Sequence, residues 1–269
     1  MGNESASGRL VTVAAEAALR AGALQKERYG QEVRIDYKGE IDLVTEVDRA
    51  CEAAILEILR ARVPDHDVVT EESDLARRGS PHVWYVDPLD GTTNFAHGYP
   101  CFCASLGVAR DGVMVAGAVY EPIRGELFTA ERGAGAHLNG KRLRVSRAGE
   151  LLKSLLMTGF PYDVRDDVPG KLRLFTRLMG EARAVRRDGS AALNLSFVAA
   201  GRLDGFWEEK LKAWDMAAGA LMVEEAGGRV SRFDGSPLPI AEDEIVATNG
   251  RIHEAMLDLL RAESRPRRP

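Results

Sequence analysis

Between residues 83 and 100 the chain reads VWYVDPLDGTTNFAHGYP, setting two aspartates, a proline, a glycine and two threonines directly behind an apolar run. Asp87 and Asp90 are thereby brought close where like charges repel. A strand ending at Val86 puts Asp87 at its exit, Pro88 fixes a turn, and Asp90 returns beside Asp87. Gly91 lets the backbone approach a ligand. Thr92 to Phe95 can open a short helix whose first amides point outward as a cradle for phosphate. Carboxylates beside such a cradle make sense when divalent cations lie between them, and a hard ion such as Mg²⁺ favours these oxygen donors. An acidic surface turn accounts for each residue singly but not for their combination with apolar flanks.

Other acids could complete the site, although each has an ordinary reading. Glu71 and Glu72 follow the apolar run of HDVVT, at a strand exit or a solvated corner. Asp48 in DLVTEVD and Asp215 in WDMAAGALMVEEAGG both suit a helix start, where the dipole favours a carboxylate. Ser190 in GSAAL reads as a helix N-cap. None of the five histidines occupies a nucleophile's position; His97 lies nearest, as a loop residue.

These residues need a scaffold, and the 269-residue chain with 45% apolar residues is long enough to bury a full core. Helices are expected from Leu10 to Leu24, with Gln25 to Tyr29 closing the first, and from about Glu46 to Arg62, ending before Pro64. VWYVD, CFCASLGVAR, GVMVAGAVYEP and GELFTAERG form a meander of strands between turn residues. KSLLMTGF opens a second section of alternating helices and strands that ends in a helix from Arg251 to Arg261. Strands grouped in blocks between helix pairs indicate layered α+β packing. Residues 9–262 are expected to form one catalytic unit with a seam near 140–152, between a flexible segment 1–8 and a disordered basic tail at 263–269.

The net charge of −5 offers no basic footprint for nucleic acid. Cys51, Cys101 and Cys103 make neither a disulfide framework nor a zinc signature and are expected to be reduced and buried. The N-terminus lacks the pattern of a secretory signal, and no segment nears the ~18 apolar residues a membrane span requires. A cytoplasmic protein without membrane or nucleic-acid partners is expected.

Taken in order and spacing, DLVTEVD, the acids after HDVVT, DPLDGTTNF and WDMAAGALMVEEAGG resemble the inositol monophosphatase family, from about Lys38 to the last helix. The resemblance implies a layered αβαβα sandwich of the inositol monophosphatase and fructose-1,6-bisphosphatase type, usually dimeric. It implies hydrolysis of small phosphate monoesters with two to three Mg²⁺ per site, inhibited by Li⁺. Carried over by motif, Glu71, Asp87 and the Leu89 carbonyl hold one metal, while Asp87, Asp90 and Asp215 hold a second. Glu71 also reaches a third ion. Thr92, paired with Asp48, orients and deprotonates the attacking water, and the amides of Gly91 and Thr92 bind phosphate. Lys38 lies on a mobile loop that closes near the site.

By the same resemblance, Gly189, Ser190, Ala191 and Glu208 meet the alcohol part of a small phosphorylated polyol. Inositol-1-phosphate is the expected substrate; fructose 1,6-bisphosphate, histidinol phosphate and nucleotide 3′-phosphates are the alternatives. A regulatory binding protein on the same scaffold is the alternative of another class.

Overall fold

The computed structural model describes residues 6–37, 43–161, 163–240 and 243–264. The first half contains α1 (Ala6–Arg28), a hairpin of β1 (Ile35–Tyr37) and β2 (Leu43–Thr45), and α2 (Glu46–Arg62). β3 (Asp67–Thr70), β4 (His82–Asp90) and the short α3 (Thr92–Ala96) follow. The meander is β5 (Cys103–Arg110), β6 (Val113–Glu121), β7 (Glu126–Glu131), β8 (Gly135–Leu138) and β9 (Lys141–Arg142). The second half comprises β10 (Leu155–Thr158), α4 (Val168–Glu181), β11 (Ala184–Arg186), α5 (Ala191–Ala199) and β12 (Gly205–Glu209). It closes with α6 (Ala213–Glu225), β13 (Arg229–Ser231), β14 (Glu244–Thr248) and α7 (His253–Ser264).

β3 to β9 form a seven-stranded sheet in sequence order, antiparallel except for the parallel β3–β4 pair. The second sheet has five strands in the order β11-β10-β12-β14-β13. The chain is thus an α+β sandwich of five layers. α1 and α2 cover one face of the large sheet, with Ala14, Ala17, Ala18, Ala21, Ile55 and Leu59 packed against Trp84, Leu106 and Ala118. α5 and α6 fill the space between the sheets. α4 and α7 cover the outer face of the small sheet through Leu178, Met256, Leu257 and Leu260.

Sequence explains this order directly. α1 repeats its small and apolar residues with helical period, so one stripe is buried and the other meets solvent. α5, AALNLSFVA, has almost no polar face, as expected of a helix lying between two sheets. Among the described residues no helix is long and apolar enough to cross a membrane, and the three cysteines are free and buried.

Three local expectations change. α1 begins at Ala6 rather than Leu10; Gly8, a poor helix former, falls in its first turn, where its carbonyl accepts from Thr12 Oγ1 at 3.1 Å. The β1–β2 hairpin carries too few apolar residues to announce itself. β4 does not stop at Val86 but runs on to Asp90.

Leu195, fully buried in the middle layer, presses so close to α6 that a Cβ on Gly219 would lie 2.4 Å from its own Cβ. Leu195→Ala is therefore expected to lower the unfolding free energy by about 2–5 kcal/mol in a urea titration. A loss well under 1 kcal/mol would show that this layer is loosely packed.

Candidate active site

Residues an odd number apart on a regular strand face opposite sides. Asp87 pairs with Ser105 while Asp90 pairs with Cys103, so β4 takes three steps where β5 takes two. The extra residue is a β-bulge, and it returns both carboxylates to one cleft. The turn expected at Pro88 is therefore a bulge. Pro88 has no N–H for the ladder; its carbonyl accepts from Gln25 Nε2 at 2.8 Å, reached from α1. The Leu89 N–H donates to Asp87 Oδ1 at 2.9 Å. Gly91 follows at φ +94°, and a Cβ there would stand 2.8 Å from the Cys101 carbonyl.

Neighbouring elements bring further acids. β3 pairs Thr70 with Val86, and the Glu71 N–H donates to the Val86 carbonyl at 3.2 Å, which sets Glu71 alongside Asp87. Glu52, buried on α2, anchors that corner by accepting from Thr70 Oγ1 at 2.7 Å and from the Glu72 N–H at 3.1 Å. Asp215, in the first turn of α6, accepts from the Lys212 N–H at 2.6 Å. Glu71, Asp87, Asp90 and Asp215 line a single cleft of about 560 Å³ together with Leu89, Gly91 and Thr92.

Asp48 stands behind this wall, fully buried. Its Oδ2 accepts from the Thr45 N–H at 2.8 Å and from Thr45 Oγ1 at 2.6 Å, a capping box at the start of α2. Its Oδ1 lies 2.9 Å from Thr92 Oγ1, which is also 3.0 Å from the Leu89 carbonyl.

The far side of the cleft comes from the second half, where Gly189, Ala191 and Glu208 are wall residues. Ser190 is not among them. It occupies the N-cap position of α5, but its side chain does not cap that helix. Asp90 takes this role from another element: its Oδ2 accepts the Ala192 N–H at 2.8 Å and Ser190 Oγ at 2.6 Å. Asn94 adds a second tie, donating to the carbonyls of Asp188 at 2.7 Å and Cys101 at 2.8 Å. Glu209 is paired with Lys171, whereas Glu208 folds against Gly159, where a Cβ would lie 2.0 Å from Glu208 Oε1. Lys38 lies outside the described residues, as do most of the terminal segments 1–8 and 263–269.

Gathering acids in this wall raises their proton affinity. Burial pushes Asp87 well above the usual carboxylate range, and the charges of Glu71, Asp90 and Asp215 push it further. Asp215 is raised by burial and by Asp90. Asp90 is pushed up to about 6 by burial, against the pull of its bonds from Ser190 and Ala192. Asp48 is raised by burial, opposed by Thr45 and Thr92. Glu208 reaches about 8, through burial first and the charges of Asp215 and Asp90 second. Part of its surface reaches the cleft, and the charge of Arg187 only partly offsets burial and the neighbouring acids.

A divalent cation suits this donor set, because it converts mutual repulsion among buried carboxylates into shared attraction. Among the described residues no three His, Cys, Asp or Glu side chains are already closed around one point. The acids share a cleft and a field, not a finished cage. A second cleft of about 640 Å³ lies under the ends of α1 and α2, but its Glu16 and Asp65 stand among Arg9, Arg62 and Arg110. Glu16 is ion-paired to Arg62 there, so no comparable excess of negative charge builds up.

Sequence reasoning passed over Gln25, Thr45, Glu52 and Gly159. Thr45 was readable from the T-x-x-D spacing before an apolar run. Glu52 was readable as an acid one turn after Asp48 on the inner face of α2. Gln25 and Gly159 carry no local signal, because what they touch is distant in sequence.

The raised carboxyls fix a pH dependence. Between its ordinary value of 4.5 and about 8, Glu208 holds in the folded state a proton that the unfolded chain has released. Stability therefore falls as pH rises through that window. His253 acts oppositely, but only below its ordinary value of 6.5, because it is lowered to about 4 by burial. In chelator, the melting temperature is expected to fall from pH 6.5 to pH 8, and Glu208→Gln should flatten that fall. A wild-type profile that rises over this interval would contradict the assignment.

Residues 8–265 match the inositol monophosphatase family. The chain is 48% identical to the inositol-1-monophosphatase of Synechocystis over 93% of its own length and 88% of that protein. It is 44% identical to the Nus factor SuhB of Escherichia coli K12, over 94% of this chain and 96% of that one. The solved inositol monophosphatase of Anabaena superposes with a TM-score of 0.86 at 43% identity, covering 94% of this chain and 95% of its own. With the motifs in place on the fold that this likeness requires, the chain belongs to the inositol monophosphatase family.

Proposed function

We propose that the protein is a Mg²⁺-dependent phosphate monoester hydrolase whose preferred substrate is inositol-1-phosphate. The observation that carries this reading is the buried carboxylate wall, electrostatically strained without a cation, beside the Thr92–Asp48 pair. Glu71, Asp87 and the Leu89 carbonyl would hold one ion, and Asp87, Asp90 and Asp215 a second, with Glu71 near a third. When bound, the ions supply charge neutralisation for the phosphate and a lower pKa for the attacking water.

The chain's own groups do the rest. Thr92 has one hydroxyl proton and two acceptors within reach, Asp48 Oδ1 and the Leu89 carbonyl. Donating that proton to Asp48 leaves the Thr92 lone pairs free to accept from water in the cleft, while the Leu89 carbonyl would be left to hold a cation. Asp48, raised by burial and held at its other oxygen by Thr45, is suited to take up the proton that water loses. The amides of Gly91 and Thr92 steady the phosphate, with Gly91 allowing its close approach. Gly189, Ala191 and Glu208 form the alcohol side, where Glu208 can bond to polyol hydroxyls. Lithium sensitivity, a homodimeric state and a cytoplasmic location belong to the same reading.

A second reading, a regulatory role on this scaffold, draws on the likeness to a protein named as a Nus factor. The intact set of Glu71, Asp48, Asp87, Asp90, Thr92 and Asp215 favours catalysis as the primary role.

Purified protein should release phosphate from inositol-1-phosphate with Mg²⁺ and fall silent in chelator; an unchanged rate in chelator would remove the metal mechanism. Asp87→Asn should lose several kcal/mol of transition-state stabilisation, on the order of a thousandfold in rate. In chelator at neutral pH the same variant should melt above wild type, because it removes a buried carboxyl that ionises freely only in the unfolded chain. A variant both inactive and less stable in chelator would make Asp87 a structural residue instead.

A further inference from the structure

Ser190 has two ordinary roles open to it, capping α5 or touching substrate, and its geometry fits neither. Its side chain makes no capping bond to α5. It is 1% exposed and absent from the cleft wall, although its neighbours Gly189 and Ala191 both line that wall. The hydroxyl instead sits 2.6 Å from Asp90 Oδ2, across 100 residues of chain. A hydroxyl has a single proton, and this one is committed to Asp90, so none is left for an alcohol in the cleft.

Asp90 Oδ2 is held from several sides. The Ala192 N–H reaches the same oxygen at 2.8 Å, and the Cys103 thiol lies 3.7 Å from it and 3.8 Å from Ser190 Oγ. Two strong donors on one carboxylate oxygen fix the plane of the group. They anchor Oδ2 to the start of α5 and turn the rest of the carboxylate to the cleft that Asp90 lines. An aspartate free to rotate would have to be ordered each time a cation arrived, and that cost would weaken binding.

We infer that Ser190 is a positioning residue for Asp90: its hydroxyl presets the carboxylate for a divalent cation and takes no part in recognising the alcohol. The inference rests on the proposed reading of the cleft as a cation-dependent phosphatase site. It also gives the two halves of the chain a common purpose at this point, since a residue of the second half sets a ligand on β4 of the first.

The test is Mn²⁺ binding, followed by the electron paramagnetic resonance of free Mn²⁺, on wild type, Ser190→Ala, Ser190→Thr and Ser190→Cys. Ser190→Ala should weaken Mn²⁺ binding by about 10–100-fold, as loss of a ligand's hydrogen-bond partner does. Ser190→Thr should restore it, and Ser190→Cys, a weaker donor of similar size, should fall between. The KM for inositol-1-phosphate at saturating Mn²⁺ should stay near wild type in all of them. Wild-type binding by Ser190→Ala, or by Ser190→Cys if the alanine variant does not fold, overturns the inference and leaves the phosphatase reading intact. A raised KM with unchanged Mn²⁺ affinity also overturns it, returning Ser190 to the alcohol pocket. If wild type itself binds no Mn²⁺, the phosphatase reading fails and the inference fails with it.

Discussion

Four acids of like charge share one poorly solvated cleft, and the local architecture around it is organised to hold them there. Left to themselves, Glu71, Asp87, Asp90 and Asp215 would separate or reach for water. Three of the carboxylates at this junction are each fixed by an amide at the start of a helix. Asp48 accepts from Thr45 before α2, Asp215 from Lys212 before α6, and Asp90 from Ala192 in α5. Helix starts carry partial positive charge, so the ends of α2, α5 and α6 offset part of the negative field while fixing each side chain. The bulge at Pro88 then turns Asp87 and Asp90 to the same side.

Such an arrangement opposes stability locally in order to prepare for a ligand. Buried carboxyls at raised proton affinity favour the unfolded state at neutral pH, where they ionise freely. The compensation comes from apolar layers on both sides. The middle layer of α5 and α6 is buried against both sheets, and Trp84, Leu89 and Phe102 back the site from the α1–α2 side. Strain concentrated where a ligand binds, with surplus packing elsewhere, is the pattern expected when function and stability compete.

How much of this was legible depended on the sequence distance of each contact. α2 was legible at about Glu46 to Arg62, because its period and the Pro64 that ends it act locally. The five-layer fold was legible through the resemblance more than through the elements themselves. Pro88 reads as a turn from its own chemistry; only the partner strand, with Ser105 and Cys103 opposite, makes it a bulge. Ser190 likewise reads as a cap, since GSAAL contains nothing that announces Asp90. Gln25 meets Pro88 across 63 residues and Ser190 meets Asp90 across 100. Local rules see the donor in each pair and miss its acceptor.

The division of labour between the halves bears on how substrates could be exchanged within this scaffold. The carboxylates come from the residue after β3, from β4 and from the first turn of α6, all tied into the large sheet or the helix layer behind it. The opposite wall of the cleft comes from the end of β12, the start of α5 and the chain after β10, with Gly159 leaving space that Glu208 occupies. A larger residue at 159 would displace Glu208 without touching the bulge or the bonds on Asp90. That wall can therefore change while the carboxylate cluster stays fixed, and the contacts of Ser190 and Asn94 keep the two sides in register as it does.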